Sequence, residues 1–326
     1  MNWIIITGNI MQQSYENKYK DVQSHVLENE ILRVEILPKW GAKIASIIFK
    51  PIEYELLWQN PNKTFKKSLY AEQFAEGESA CFDDMFPNIS SSYYEKAPWK
   101  GIEMPDHGEV WSLPWNLTIL NQNIEMEVNG VRFPYRFKKK MHLDEGTIYL
   151  SYEVENLSPY QFDFIWSAHP LFNANANMEF IVPEGMDEIV NSVDGKRLGS
   201  YGSKYNFPEA ILDSGKVFRL DKVPPINDFG YQKYYFTTPV TEGWCSLLDP
   251  QNEIKIHLEY PKESVKYLGM WLNEGGYAGQ YNIAPEPCTG AMDRVDFSNI
   301  WGMNSFMKPF ETCKWYLNIS VNVLVV

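Results

Sequence analysis

Three residues in this sequence pair a proton-transferring side chain with an unusual local setting: His107, His169 and Glu286. His107 lies in the turn-like stretch Pro105-Asp106-His107-Gly108, just ahead of an aromatic run from Trp111 to Trp115. His169 follows the alternating Phe162-Phe164-Trp166 segment and precedes Pro170, so it stands at a strand end among aromatics, where an imidazole's proton affinity can be tuned. Glu286 is held between Pro285 and Pro287. The first proline fixes its own φ and the second drives Glu286 toward an extended conformation. A carboxylate on so stiff a backbone is placed before any ligand arrives, as a catalytic base should be. Each also has a bland reading: a core histidine bonded to a carbonyl, or a loop glutamate at a strand terminus.

Other candidates are fewer. Asp83 and Asp84 sit in an aromatic frame, Phe82-Asp83-Asp84-Met85-Phe86, and Trp271 in Met270-Trp271-Leu272-Asn273 is a residue type that stacks on sugar rings. His257 and His142 lie in regular alternating strands and His25 in a polar stretch, so these three read as solvated or structural. No Gly-x-Ser-x-Gly elbow, no phosphate-binding glycine loop with lysine and no His-Glu-x-x-His occurs, which removes the corresponding hydrolase, nucleotide and zinc-peptidase chemistries. The four cysteines are far apart with no Cys-x-x-Cys pair, so they read as free thiols in a reducing compartment. With 42 acidic against 29 basic residues the chain repels a phosphate backbone, so nucleic acid is not an expected partner. No apolar run of roughly 18 residues appears, and the short Trp3–Ile6 stretch lacks a basic lead, so the expectation is a cytoplasmic chain without a membrane partner.

The elements that must position these groups are strands. Leu32, Val34 and Ile36 alternate with Arg33 and Glu35; Ile148 to Val154, Ile254 to Tyr260 and Leu317 to Val323 repeat the pattern. Asp144-Glu145-Gly146 separates two alternating runs as a hairpin turn would. An aromatic content of 15%, with 20 glycines and 20 prolines, suits pleated surfaces joined by frequent turns. Helical signal is confined to 66–78 and a turn within 296–307. No linker or composition break divides the chain, so the reading is all-β, one large antiparallel sandwich spanning 1–326.

Five segments, in order, resemble the galactose mutarotase-like superfamily, that of the aldose 1-epimerases: ILRVEILPKWGAKIASIIF, FDDMFPNI, PDHGEVWSLPW, WSAHPLFN and YLGMWLNEGGYAGQYNIAPEPCTGAMD. The resemblance spans nearly the whole chain and implies a large antiparallel sandwich with a ligand cleft over one sheet. It implies that His169 is a general acid and Glu286 a general base, with His107 contacting the sugar, and that neither metal nor organic cofactor is needed. Anomers would interconvert by opening the hemiacetal, rotating about a carbon–carbon bond and reclosing. The family's arginine ahead of the His-Gly segment is missing here; Asp84, or else Asp83, stands in that region as a substitute sugar ligand. The family's substrate-contacting aspartate has only Asp228 as a weak match. The expected partner is a small free sugar. Two alternatives remain at this stage: a non-catalytic carbohydrate-binding protein on the same fold, and a glycosidase or polysaccharide lyase, which would need a second carboxylate facing Glu286.

Overall fold

Alternation sets the longest hairpin. Tyr135–Asp144 buries every second side chain and pairs with Thr147–Asn156, Asp144 opposite Thr147, leaving Glu145 and Gly146 as the turn. The computed structural model describes residues 12–195, 197–226 and 230–324. Among these, the two main sheets have thirteen and eight strands, three two-stranded sheets stand beside them, and every strand pairing is antiparallel. The sandwich expected from the sequence is what forms.

The layer between the sheets is strongly aromatic. Trp166 meets Trp315 at 5.2 Å and Tyr152 at 4.9 Å between ring centroids, and Phe86 packs on Tyr135 at 4.7 Å. Such rings bury about 150–250 Å² each, which is how a chain of modest aliphatic content fills a two-sheet core. Across the same layer Lys139 forms an ion pair with Asp84 at 2.8 Å, both side chains fully buried.

Two local expectations change. The 66–78 segment holds only a single 3₁₀ turn, Phe74–Glu76. Its backbone is captured by side chains, Lys66 N–H by Glu78 at the segment's own far end and Phe74 N–H by Asp106 from outside it, which overrides helix propensity. The strand expected to run from Phe162 to His169 is two pieces: Phe162–Phe164 pairs with Ser305–Met307, and Ser167–Pro170 joins the large sheet. Late in the chain, the helical turn is Val295–Trp301.

Candidate active site

Register in the large sheet brings distant residues into one row. Asp83 on strand Phe82–Met85 pairs with His169 on Ser167–Pro170. Strand Tyr281–Cys288 meets Ser167–Pro170 at Ser167 opposite Cys288, so His169 stands level with Glu286. Glu286 in turn pairs with Gly269, and Gly269 with Tyr235. Pro285 and Pro287 have no N–H to give. Between the Ser167–Cys288 and Phe172–Ile283 pairs no strand pairing forms, and in that gap the His169 and Glu286 side chains meet.

The contact is direct. His169 Nδ1 lies 2.7 Å from Glu286 Oε1, and Glu286 Oε2 lies 2.9 Å from Lys233 Nζ. Lys233 is also 3.0 Å from Asp293 Oδ1, which accepts a hydrogen bond from the Tyr235 hydroxyl at 2.6 Å. The Tyr235 ring reaches Asp293 by lying over Gly269, where a Cβ would come within 2.8 Å of it. Burial would raise the Glu286 carboxyl, but the charge of Lys233 and the hydrogen bond from His169 outweigh it and hold it at about 2. For His169, burial outweighs the pull of Glu286, so its proton affinity falls below the ordinary imidazole value. A neutral imidazole whose Nδ1–H is given to a carboxylate presents a lone pair at Nε2.

A cleft of about 240 Å³ opens over this row. His107, His169, Lys233 and Asp293 line it, with Trp271 and Tyr277 forming an aromatic wall. Trp271 sits 5.1 Å from Tyr231 and 5.8 Å from Tyr277 between centroids, and its Nε1–H is given to Asn282. On the other side His107 stacks flat on Phe74 at 3.9 Å and stands 5.4 Å from the His169 ring. Its Nδ1 is 3.0 Å from Asp106 Oδ1. Burial would raise Asp106, but His107 holds its carboxyl below the usual range.

The structure therefore gathers His107, His169, Glu286 and Trp271 in one place, with a difference in depth. Glu286 has no exposed surface and lies behind His169 and Lys233 rather than in the cleft wall. Asp84 corrects an expectation. It pairs across from Ala168, one residue out of step with His169, so the pleat turns it to the opposite face. There it accepts the Trp166 Nε1–H and pairs with Lys139, remote from the cleft. Asp83 shares the face of His169 but is buried against Lys43, and it does not line the cleft either. Asp228 lies outside the described residues. His25, His142 and His257 contact Ser14, Tyr149 and Ser246, in keeping with structural roles. Sequence reasoning missed Lys233, Asp293, Tyr235 and Phe74. Lys233 had a visible signal as a cation set among aromatics in Tyr231–Phe236, a strand buried on both faces.

Solved structures now give this arrangement its context. The Slr1438 protein from Synechocystis sp. PCC 6803 superposes with a TM-score of 0.69 at 15% identity, covering 95% of this chain and 99% of that one. A galactose mutarotase-like protein from Clostridium acetobutylicum gives 0.65 at 12% identity, covering 96% and 99%. A galactose mutarotase related enzyme from Lactobacillus acidophilus gives 0.61 at 15%, covering 93% and 100%. The chain has the galactose mutarotase-like fold. No protein-family model matches the sequence, and no curated protein matches it significantly. The cleft lies over the larger sheet, with His107 in its lining and Glu286 beneath it. Among the described residues, no helix is long and apolar enough to cross a membrane.

Proposed function

We propose that the protein is an aldose 1-epimerase-type isomerase that opens and recloses the hemiacetal of a free hexose bound in this cleft. The observation that carries the reading is the His169–Glu286 contact of 2.7 Å beneath an aromatic-walled cleft. Hemiacetal opening moves a proton from the anomeric hydroxyl to the ring oxygen while the carbon–oxygen ring bond breaks, so it needs proton-transfer groups that change state near neutral pH. His169 meets that need at Nε2. Glu286 works through it: the carboxylate takes the Nδ1–H, fixes the tautomer and steadies the imidazolium that forms during turnover. This departs from the resemblance, in which Glu286 itself removes the proton, and the reason is its complete burial and its clamp by Lys233. Trp271 offers its face to the apolar side of a sugar ring, and a volume of about 240 Å³ suits a monosaccharide.

The test is polarimetry of freshly dissolved α-D-glucose and α-D-galactose, with a panel of other aldoses. Acceleration of the approach to anomeric equilibrium, for at least one sugar, is expected. Calorimetric sugar binding without acceleration would replace this reading with that of a carbohydrate-binding protein.

A further inference from the structure

The aromatic wall of the cleft has more rings than one sugar face needs. Trp271, Tyr231 and Tyr277 stand within 6.0 Å of one another between centroids. Tyr231 and Trp271 are only 33° apart in plane, whereas Tyr277 lies at 81° to the first and 85° to the second, so the rings meet as two walls of a corner. Trp271 gives its one polar hydrogen to Asn282 at 3.0 Å, so what it offers the cleft is a ring. The backbone is arranged to make this corner. A Cβ on Gly276 would come within 2.5 Å of the Gly230 backbone, so the absence of a side chain there lets the 275–279 turn lie against the start of strand Tyr231–Phe236. Gly275 N–H closes the turn on the Gln280 carbonyl at 2.8 Å. Asn273, fully buried, accepts the Tyr277 N–H at 3.0 Å and gives its own amide to the Tyr277 carbonyl at 2.9 Å. The rings are thus held in place before a ligand arrives.

Charge around the corner is one-sided. Among the described residues that line the cleft, Lys233 is the one lysine or arginine, and it is shared by two carboxylates, Glu286 at 2.9 Å and Asp293 at 3.0 Å. The trio sums to a net negative charge. Asp106 adds a further carboxylate to the lining. Burial, and after it the charge of Asp106, push the Tyr277 hydroxyl above its usual range, so the field of that acid reaches the corner. Ring faces and carboxylates share one preference. Both attract an ammonium, the first through the ring quadrupole and the second through its charge, and neither gains as much from a neutral hydroxyl. A phosphate or a carboxylate on the sugar would meet the same groups with the wrong sign.

We infer that the cleft takes an amino sugar, a hexosamine whose protonated amine sits in the corner between Tyr231 and Tyr277 while its ring stacks on Trp271. This rests on the anomerisation reading above for its chemistry and names the class of substrate on which that chemistry acts. An ammonium replaces a hydroxyl of almost the same size, so the cleft volume of about 240 Å³ serves either sugar and charge makes the difference. The amine takes no part in ring opening, and the proton transfers are those of a neutral hexose.

The experiment compares α-D-glucosamine with α-D-glucose at about pH 6, where the amine is charged, since even an α-amino group keeps its proton up to roughly 7.7. Polarimetry gives KM and kcat, and calorimetry gives the dissociation constant on the same preparations. KM and the dissociation constant for glucosamine are expected to be about tenfold below those for glucose, with a similar kcat. Tyr277→Leu, which leaves the net charge unchanged, and Asp106→Asn should each reduce that preference to about threefold or less. Reading the preference as a ratio cancels general damage to the cleft, and if one variant fails to fold by circular dichroism the other decides. A wild-type protein that anomerises glucose and handles glucosamine no better would overturn the inference and leave the isomerase reading standing. A preference that survives undiminished in both variants would also overturn it, because that is attraction by the acidic chain as a whole. Preferential binding of glucosamine that the variants lose, without acceleration of either sugar's anomerisation, would support the amino-sugar site and overturn the anomerisation reading instead.

Discussion

Replacing Glu286 by glutamine is the sharpest probe of the site, because an amide of nearly the same shape cannot satisfy both neighbours. The carboxylate receives His169 Nδ1–H at 2.7 Å and faces Lys233 at 2.9 Å. If the amide oxygen turns to His169, the NH₂ group meets the Lys233 ammonium, donor against donor. If the oxygen turns to Lys233, the NH₂ group meets Nδ1 and drives the imidazole proton onto Nε2, which blocks the face the sugar needs. The first outcome weakens the imidazole as a base by removing the charge that steadies the imidazolium, the second blocks it, and general acid–base catalysis is worth about 100- to 10,000-fold. The expected result is a fall in kcat of that size with KM within roughly tenfold, since one neutral hydrogen bond contributes about 0.5–1.5 kcal/mol. Stability should change in a pH-dependent way. Glu286 is lowered from 4.5 to about 2 in the fold, so its charged form contributes roughly 3 kcal/mol above pH 4.5. That contribution drains away as pH falls through the interval toward 2, and Glu286→Gln should flatten this part of the acid unfolding curve. Polarimetry and urea denaturation on the same preparations read both effects. A variant that retains anomerisation within threefold of wild type would refute the orientation argument.

Three further outcomes follow from the same geometry. His169→Asn should lower kcat as much as Glu286→Gln does, and the double variant should be far less than additive because the two groups act as a unit; single-turnover kinetics would show this. Trp271→Ala should raise KM about two- to tenfold with a smaller effect on kcat, since it removes a stacking face and no proton-transfer group; a variant with unchanged KM would move the sugar elsewhere in the cleft. Lys139→Met strands Asp84 as a buried charge and should cost about 3–5 kcal/mol in urea unfolding, whereas Asp84→Leu with Lys139→Met should recover most of it. Equal destabilisation of single and double variants would refute that account.

The sheets were readable because alternation is a local property: the parity that made Tyr135–Asp144 and Thr147–Asn156 strands in the sequence also sets their buried faces. Segment 66–78 was not, because Glu78 folds back on Lys66 within it and Asp106 reaches Phe74 from outside it, and no local pattern announces such side-chain hydrogen bonds. Chemistry-bearing residues were legible by type and setting, but their depth was not. The prolines around Glu286 correctly signalled a stiff carboxylate, yet stiffness carries no information on whether that carboxylate meets solvent or a lysine. Lys233 decides it, from a strand more than fifty residues away.

Asp84 and Asp83 show how narrow the margin is. Both acids sit on the same four-residue strand, and one step of pleat separates a group under the cleft from one facing the opposite sheet. A strand with an apolar residue on each face, Phe82 and Met85, offers no polar side from which parity could be read, since every residue of Phe82–Met85 is buried. What resolves it is the partner each acid finds: Lys43 from the same sheet for Asp83, Lys139 from the facing sheet for Asp84. An unpaired buried carboxylate costs several kcal/mol, so each acid must have a cation within reach, and the chain places one on each side of the sheet. The same requirement explains Lys233. Two buried carboxylates beneath the cleft, Glu286 and Asp293, need a shared counter-charge, and supplying it from the cleft wall keeps Glu286 ionised as the acceptor of the His169 N–H. The cation that makes burial of these acids tolerable is thus also what fixes the charge state of the site.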